Sequence, residues 1–150
     1  AVYQTSILAK MVDFVSVGSN DLTQYLLAVD RNNPRVASLY SAFHPAVIAA
    51  LQQVVKLAKA EGKPVSICGE MAGDPGAAVL LIAMGYDVLS MNASTLLKVK
   101  SVIRSVSMDV AKDLLEQVAE LDDAQTIRSA VDMALYNAGV DRLLRSSRTH

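Results

Sequence analysis

The sequence predicts an α/β fold, a parallel sheet covered by helices. Two observations carry this. Three short apolar runs recur along the chain, Phe14-Val15-Ser16-Val17, Pro64-Val65-Ser66-Ile67-Cys68 and Val88-Leu89-Ser90-Met91. Stretches with helical spacing separate them, and that alternation implies parallel strands joined by helical crossovers. The 150 residues are 52% hydrophobic, enough to build one core.

The elements follow in order. Tyr3-Gln4-Thr5-Ser6-Ile7-Leu8-Ala9 reads as an amphipathic helix, and because the chain opens on Ala and straight into that helix, a fragment of a longer protein is expected. The first strand ends at Gly18, a backbone punctuator. Leu22, Tyr25, Leu26 and Val29 predict a helix over 21–29 with Asn20 or Asp21 near its N-terminus. Arg31-Asn32-Asn33-Pro34 is a turn, and Pro45 opens a longer helix to about residue 60, with Gly62 just past its end. Gly69 closes the second strand, and Pro75 starts a helix that stops at Gly85. After the third strand, Ser94 is expected to cap a helix running toward Ser105. Helices are predicted around 109–121 and 124–138, with Gly139 as a stop. One domain over 1–143 and a polar tail over 144–150 are expected. Three strand–helix units are too few for a closed barrel, which takes about 250 residues. Pattern alone does not choose between part of a barrel and an open doubly wound sheet.

Fourteen Lys and Arg stand against 15 Asp and Glu, a net charge of −1 that argues against a nucleic-acid partner. No apolar run reaches the roughly 18–20 residues of a spanning helix, so no membrane insertion is expected. One cysteine excludes an internal disulfide and fits a reducing, cytoplasmic setting. The opening residues do not read as a secretory leader.

In either architecture functional groups gather at the carboxyl ends of strands. Two such ends are unusual: Gly18-Ser19-Asn20-Asp21 and Cys68-Gly69-Glu70-Met71-Ala72-Gly73-Asp74. Asp21 offers the hard oxygen that Mg²⁺ prefers, and Asn20 with the helix start offers donors to an anion. Both residues are also favoured helix caps, the commoner role. Cys68 is a nucleophile, a proton donor or, as most free cysteines are, an inert core residue. An ordinary thiol is largely protonated near neutral pH, which suits donation of a proton to carbon. His44 and His150 lie in other segments, so no Cys–His pair is suggested, and His44 before Pro45 reads as structural. Arg31 is a phosphate clamp or a solvated surface residue. Glu70 and Asp74 either cap the helix opened by Pro75 or line the site.

The strings Ser16-Val17-Gly18-Ser19-Asn20-Asp21-Leu22-Thr23-Gln24-Tyr25, Leu27-Ala28-Val29-Asp30-Arg31-Asn32 and Cys68-Gly69-Glu70-Met71-Ala72-Gly73-Asp74-Pro75 resemble phosphoenolpyruvate-protein phosphotransferase, enzyme I of the bacterial phosphotransferase system. Arg31-Asn32-Asn33 with Leu89-Ser90-Met91-Asn92 is closer to its nitrogen-regulatory paralogue. The resemblance implies the carboxyl-terminal part of a (β/α)₈ barrel, about three β/α units followed by terminal helices, that binds phosphoenolpyruvate and Mg²⁺. It implies Asp21 as a Mg²⁺ ligand and Asn20, Asp21 and Arg31 as phosphoenolpyruvate contacts. Cys68 is implied as the acid that protonates the methylene carbon of enolpyruvate. It further implies pyruvate as product, a phosphohistidine on a separate domain, a histidine-containing phosphocarrier protein as partner, and a homodimer.

The family's other metal-ligating glutamate, at the end of the preceding strand, has no counterpart here. Neither do its further arginines nor its phosphoacceptor histidine. Half a site, inactive alone, is therefore expected. Pyruvate phosphate dikinase and phosphoenolpyruvate synthase share the barrel and the cysteine, but the dikinase carries His-Gly where this chain has Met71-Ala72. A reading of another class is a dimerisation module. Unpaired strand edges invite self-association, so a clean monomer is not expected.

Overall fold

A computed structural model describes residues 1–140; the tail expected over 144–150 and the end of the expected domain at 143 lie outside them. A single 3₁₀ turn, Val2–Gln4, leads into α1 (Thr5–Ala9), giving the helical opening that the sequence predicts. Then come β1 (Val15–Gly18), α2 (Ser19–Leu27), α3 (Pro45–Ala60), β2 (Val65–Cys68), α4 (Glu70–Gly73), α5 (Pro75–Met84) and β3 (Val88–Ser90). Three further helices follow: α6 (Ala93–Ser105), α7 (Met108–Ala119) and α8 (Ala124–Asn137).

The strands are parallel in the order β1-β2-β3, with Gly18, Cys68 and Ser90 aligned at their carboxyl ends. Alternation along each strand divides the side chains between two unlike faces. Val17, Val65 and Ile67 are buried in one core with Leu51, Val55 and Leu80, under the helices. On the other face Ser16, Cys68, Val88 and Ser90 are exposed. A doubly wound sheet carries helices on both faces. This one is covered on a single face, so the described residues do not form that alternative.

Local chemistry sets the long helices. His44 occupies the N-cap of α3, its Nδ1 accepting the Ala46 N–H at 3.1 Å, with Pro45 at the first helical position. That is the structural role expected of His44. Val47, Ile48, Leu51, Val54, Val55 and Ala58 form the buried stripe of α3, at the spacing of one helix face. α5 differs: Gly76 through Leu81 are all buried, so it has no solvent face and packs against α6, α7 and α8. Asp74 caps it, Oδ1 accepting the Ala77 N–H at 2.8 Å, and Gly85 ends it with a left-handed φ of 101°.

The terminal helices lock onto α5. A Cβ at Gly76 would lie 2.5 Å from Val131 Cγ1 of α8, so only glycine permits that approach. Arg128 of α8 donates from Nη1 to Asp74 Oδ2 at 2.7 Å, pairs with Asp132 at 3.0 Å, and stands 5.0 Å from the centre of the Phe43 ring. Asp74 thus caps α5 with one oxygen and holds α8 with the other.

One expectation is corrected, and one short helix that the sequence reading did not predict is added. Ser94 does not cap α6: Asn92 takes the N-cap position without a side-chain bond, and Ser94 lies inside the first turn. The Gly-rich stretch after Cys68 is not all loop, because α4 forms within it.

Among the described residues no strand pairs the outer edge of β1. A groove of about 600 Å³ runs along it, lined by Thr5, Leu8, Val15, Leu22, Tyr25 and Leu26 among others. Tyr3, Ile7, Met11 and Phe14, from the opening segment before β1, are also exposed. Among the described residues no helix is long and apolar enough to cross a membrane.

Tyr86 connects the fold to pH. It is buried, and its hydroxyl donates to the Leu51 carbonyl at 3.3 Å. Burial raises its phenol far above the ordinary value. The folded chain therefore keeps a proton that the unfolded chain releases near pH 10, so this contribution is intact below about pH 10 and lost as pH rises above it. Stability is expected to fall above about pH 10 and Tyr86→Phe to flatten the fall, in urea midpoints taken from about pH 8 to 11. An unchanged slope would count against that assignment.

Candidate functional site

The carboxyl ends of the strands open into a cleft of about 530 Å³, whose walls include Asn20, Cys68, Glu70, Ser90, Asn92 and Thr95. Cys68 is exposed there, so the inert core thiol is not its role. Its neighbour Ile67 points into the core, and the pleat turns Cys68 to the open face.

α2 starts at Ser19, directly off β1, and its N-cap is Gly18 with no side-chain cap bond. Asn20 and Asp21 therefore lie inside the first turn, and neither caps the helix. They diverge. Asn20 lines the cleft with Cys68, whereas Asp21 lines the groove along the free edge of β1, its Oδ2 3.7 Å from the position of a Cβ on Gly18. Arg31, in the turn after α2, does not line the cleft but reaches its rim, Nη1 donating to Glu70 Oε1 at 2.9 Å. Of the two acidic residues left open between capping and lining, Asp74 caps α5 and Glu70 lines the cleft.

Three residues to which the sequence reading gave no role shape the site. The Tyr40 hydroxyl donates to Asn20 Oδ1 at 3.4 Å. Burial raises its phenol above the ordinary value, against the lowering effects of Thr23 and Arg31. Tyr40 follows a 3₁₀ turn, Ala37–Leu39, and its only sequence signal is an aromatic in a turn-rich stretch. Ser19 is buried, and its Oγ has no hydrogen-bond partner among the described residues. Gly69 explains how that hydroxyl is enclosed. Its φ of 102° and ψ of −171° are open essentially to glycine alone, and a Cβ there would meet Ser19 Oγ at 2.5 Å and Asn20 Oδ1 at 3.3 Å. Glycine lets the chain leaving Cys68 touch the first turn of α2.

For a divalent cation the described residues offer a partial set. They hold no group of three or more His, Cys, Asp or Glu side chains able to share an ion, and Asp21 stands as a single carboxylate. Mg²⁺ commonly takes one or two carboxylates and fills the rest with water and substrate phosphate. Asp21 fits as one ligand of such an ion.

Residues 1–108 match the family described as PEP-utilising enzyme, PEP-binding domain. The chain belongs to that family. It is 42% identical over 144 residues to the "Phosphoenolpyruvate-dependent phosphotransferase system" protein of Salmonella typhimurium, covering 96% of this chain and 19% of that one. It is also 42% identical over 132 residues to the "Phosphoenolpyruvate-protein phosphotransferase" of Haemophilus influenzae, covering 88% of this chain and 23% of the relative. "Multiphosphoryl transfer protein 1" of Escherichia coli is 46% identical over 118 residues, 79% of this chain and 14% of that protein. The chain thus spans about a fifth of the length of the Salmonella and Haemophilus relatives. Most of α7 and all of α8 lie beyond the family match.

Gly69→Ala is expected to destabilise the chain by roughly 2–4 kcal/mol, from backbone strain and the clash with Ser19 combined. Urea unfolding checks the loss, and a cost below about 0.5 kcal/mol, the scatter of ordinary surface changes, would show that the contact is not tight.

Proposed function

We propose that this PEP-binding domain holds phosphoenolpyruvate across the cleft and that Cys68 protonates its methylene carbon when the phosphoryl group leaves. One observation carries the reading: Asn20 and the exposed Cys68, from adjacent strand ends, line the same cleft. In the reaction the bond between phosphorus and the enol oxygen breaks, and the phosphoryl group passes to a histidine nitrogen of another domain. The electron pair left as enolate takes the proton of the Cys68 thiol at carbon, giving pyruvate, and the thiolate regains its proton from solvent. Asn20 positions the anion with its side-chain amide, and Arg31 clamps a phosphoryl oxygen. Asp21 would hold Mg²⁺, which when bound offsets negative charge on the phosphoryl and enolate oxygens.

The parent architecture we infer is a (β/α)₈ barrel of which this chain is the carboxyl-terminal part. One-sided helix cover, sequential strand order and an open β1 edge support it. Asp21 facing that edge suits a metal site finished by a preceding strand. The relatives' printed names favour a phosphoenolpyruvate-protein phosphotransferase over a dikinase or synthase, and to that reading we add a phosphocarrier protein as partner and a cytoplasmic setting.

Cys68 is the only cysteine, so its alkylation is a clean probe. Phosphoenolpyruvate with Mg²⁺ is expected to slow alkylation severalfold, Asp21→Asn to remove the Mg²⁺ dependence, and the chain alone to form no pyruvate. An alkylation rate indifferent to saturating phosphoenolpyruvate would overturn the reading.

The apolar groove beside β1 favours self-association as a second role. Light scattering is expected to give a mass above the 16.0 kDa of one chain, and a strictly monomeric mass would remove that role.

A further inference from the structure

Arg31 and Glu70 belong to successive β/α units and meet at the rim of the cleft, Nη1 to Oε1 at 2.9 Å. Glu70 is the first residue of α4, directly after Gly69, whose glycine-only backbone sets the direction of the turn. Its side chain is 75% exposed and that of Arg31 40%, and among the described residues Glu70 has no other hydrogen-bonded or ionic partner. Glu70 lines the cleft and Arg31 does not. The guanidinium is therefore tethered at the rim by the one carboxylate that lines the cleft among the described residues.

A carboxylate and a phosphoryl group present a guanidinium with similar paired oxygens, and the phosphoryl group carries more charge. An ion pair this exposed is weak and readily exchanged. We propose, building on the reading of Arg31 as a phosphate clamp, that Glu70 is its displaceable counter-ion. While the cleft is empty, Glu70 keeps the guanidinium parked at the rim; an incoming phosphoryl oxygen takes the arginine over. Glu70 is then a positioning residue that competes with the anion, so removing its charge strengthens binding. A Glu70 that only propped the loop would have the opposite effect on removal.

Phosphoenolpyruvate with Mg²⁺ is the probe, titrated into the whole chain and followed by NMR shifts, which also report folding. Four forms are compared: the unaltered chain, Glu70→Gln, Arg31→Gln and the double variant. Glu70→Gln is expected to tighten binding by about two- to fivefold, the range an exposed pair can hold back. That gain is expected to vanish when Arg31 is also Gln. Binding to the Glu70→Gln chain alone supports the proposal as well. If the unaltered chain binds and folded Glu70→Gln binds no tighter, the counter-ion role is overturned and the phosphoenolpyruvate reading survives. An equal gain in the Arg31→Gln background also overturns it, because Glu70 then repels the anion without acting through Arg31. If neither the unaltered chain nor Glu70→Gln binds, the phosphoenolpyruvate reading falls and takes this inference with it.

Discussion

α5 is apolar on every side, and a helix of that kind must be covered on every side. The rest of the structure is arranged to meet that need. The core beneath it joins the strands and α3, while α6, α7 and α8 close over it from outside. Gly76 gives up its side chain so that α8 can approach, and Asp74 divides its two oxygens between capping α5 and holding Arg128. The stretch leading from Cys68 therefore ends on an anchored residue. α8, although beyond the family match, fixes the far end of the stretch that follows the candidate acid.

The site depends on a second, smaller constraint. Parallel register sets Gly18 beside Cys68, and the glycine-only turn at Gly69 draws the chain against Ser19 and Asn20. Asn20 and Cys68 are far apart in sequence, yet they share a cleft because two adjacent strands end at the same level. Helix geometry, in turn, separates Asn20 from Asp21. Consecutive residues in a helix's first turn point about 100° apart, so one enters the cleft and the other faces the open edge of β1.

Much of this was legible from residue order. Pro45 and Pro75 mark helix starts, Gly85 a helix end, and the apolar runs the strands, because each signal acts through its own backbone or its near neighbours. Ser94 misled because Asn92 reaches the N-cap position first. α4 was illegible: four residues make one turn, which depends on the packing of Met71 and Ala72 rather than on local propensity. Asn20 and Asp21 read as caps by residue type, and only the start of α2 at Ser19 shows that neither is one.

Sequence alone determined the α/β class, the order of the strands and helices and, through long family strings, the residues at which chemistry is to be sought. Those are properties of local propensity and of motif, which need no partner distant in the chain. Tertiary structure decided that helices cover one face of the sheet and that Cys68 is exposed. It also decided that Tyr40 meets Asn20 and that Arg31 meets Glu70 across 39 residues. Each of these is a contact between segments brought together only by burying the apolar face of the sheet, and no short-range pattern encodes it.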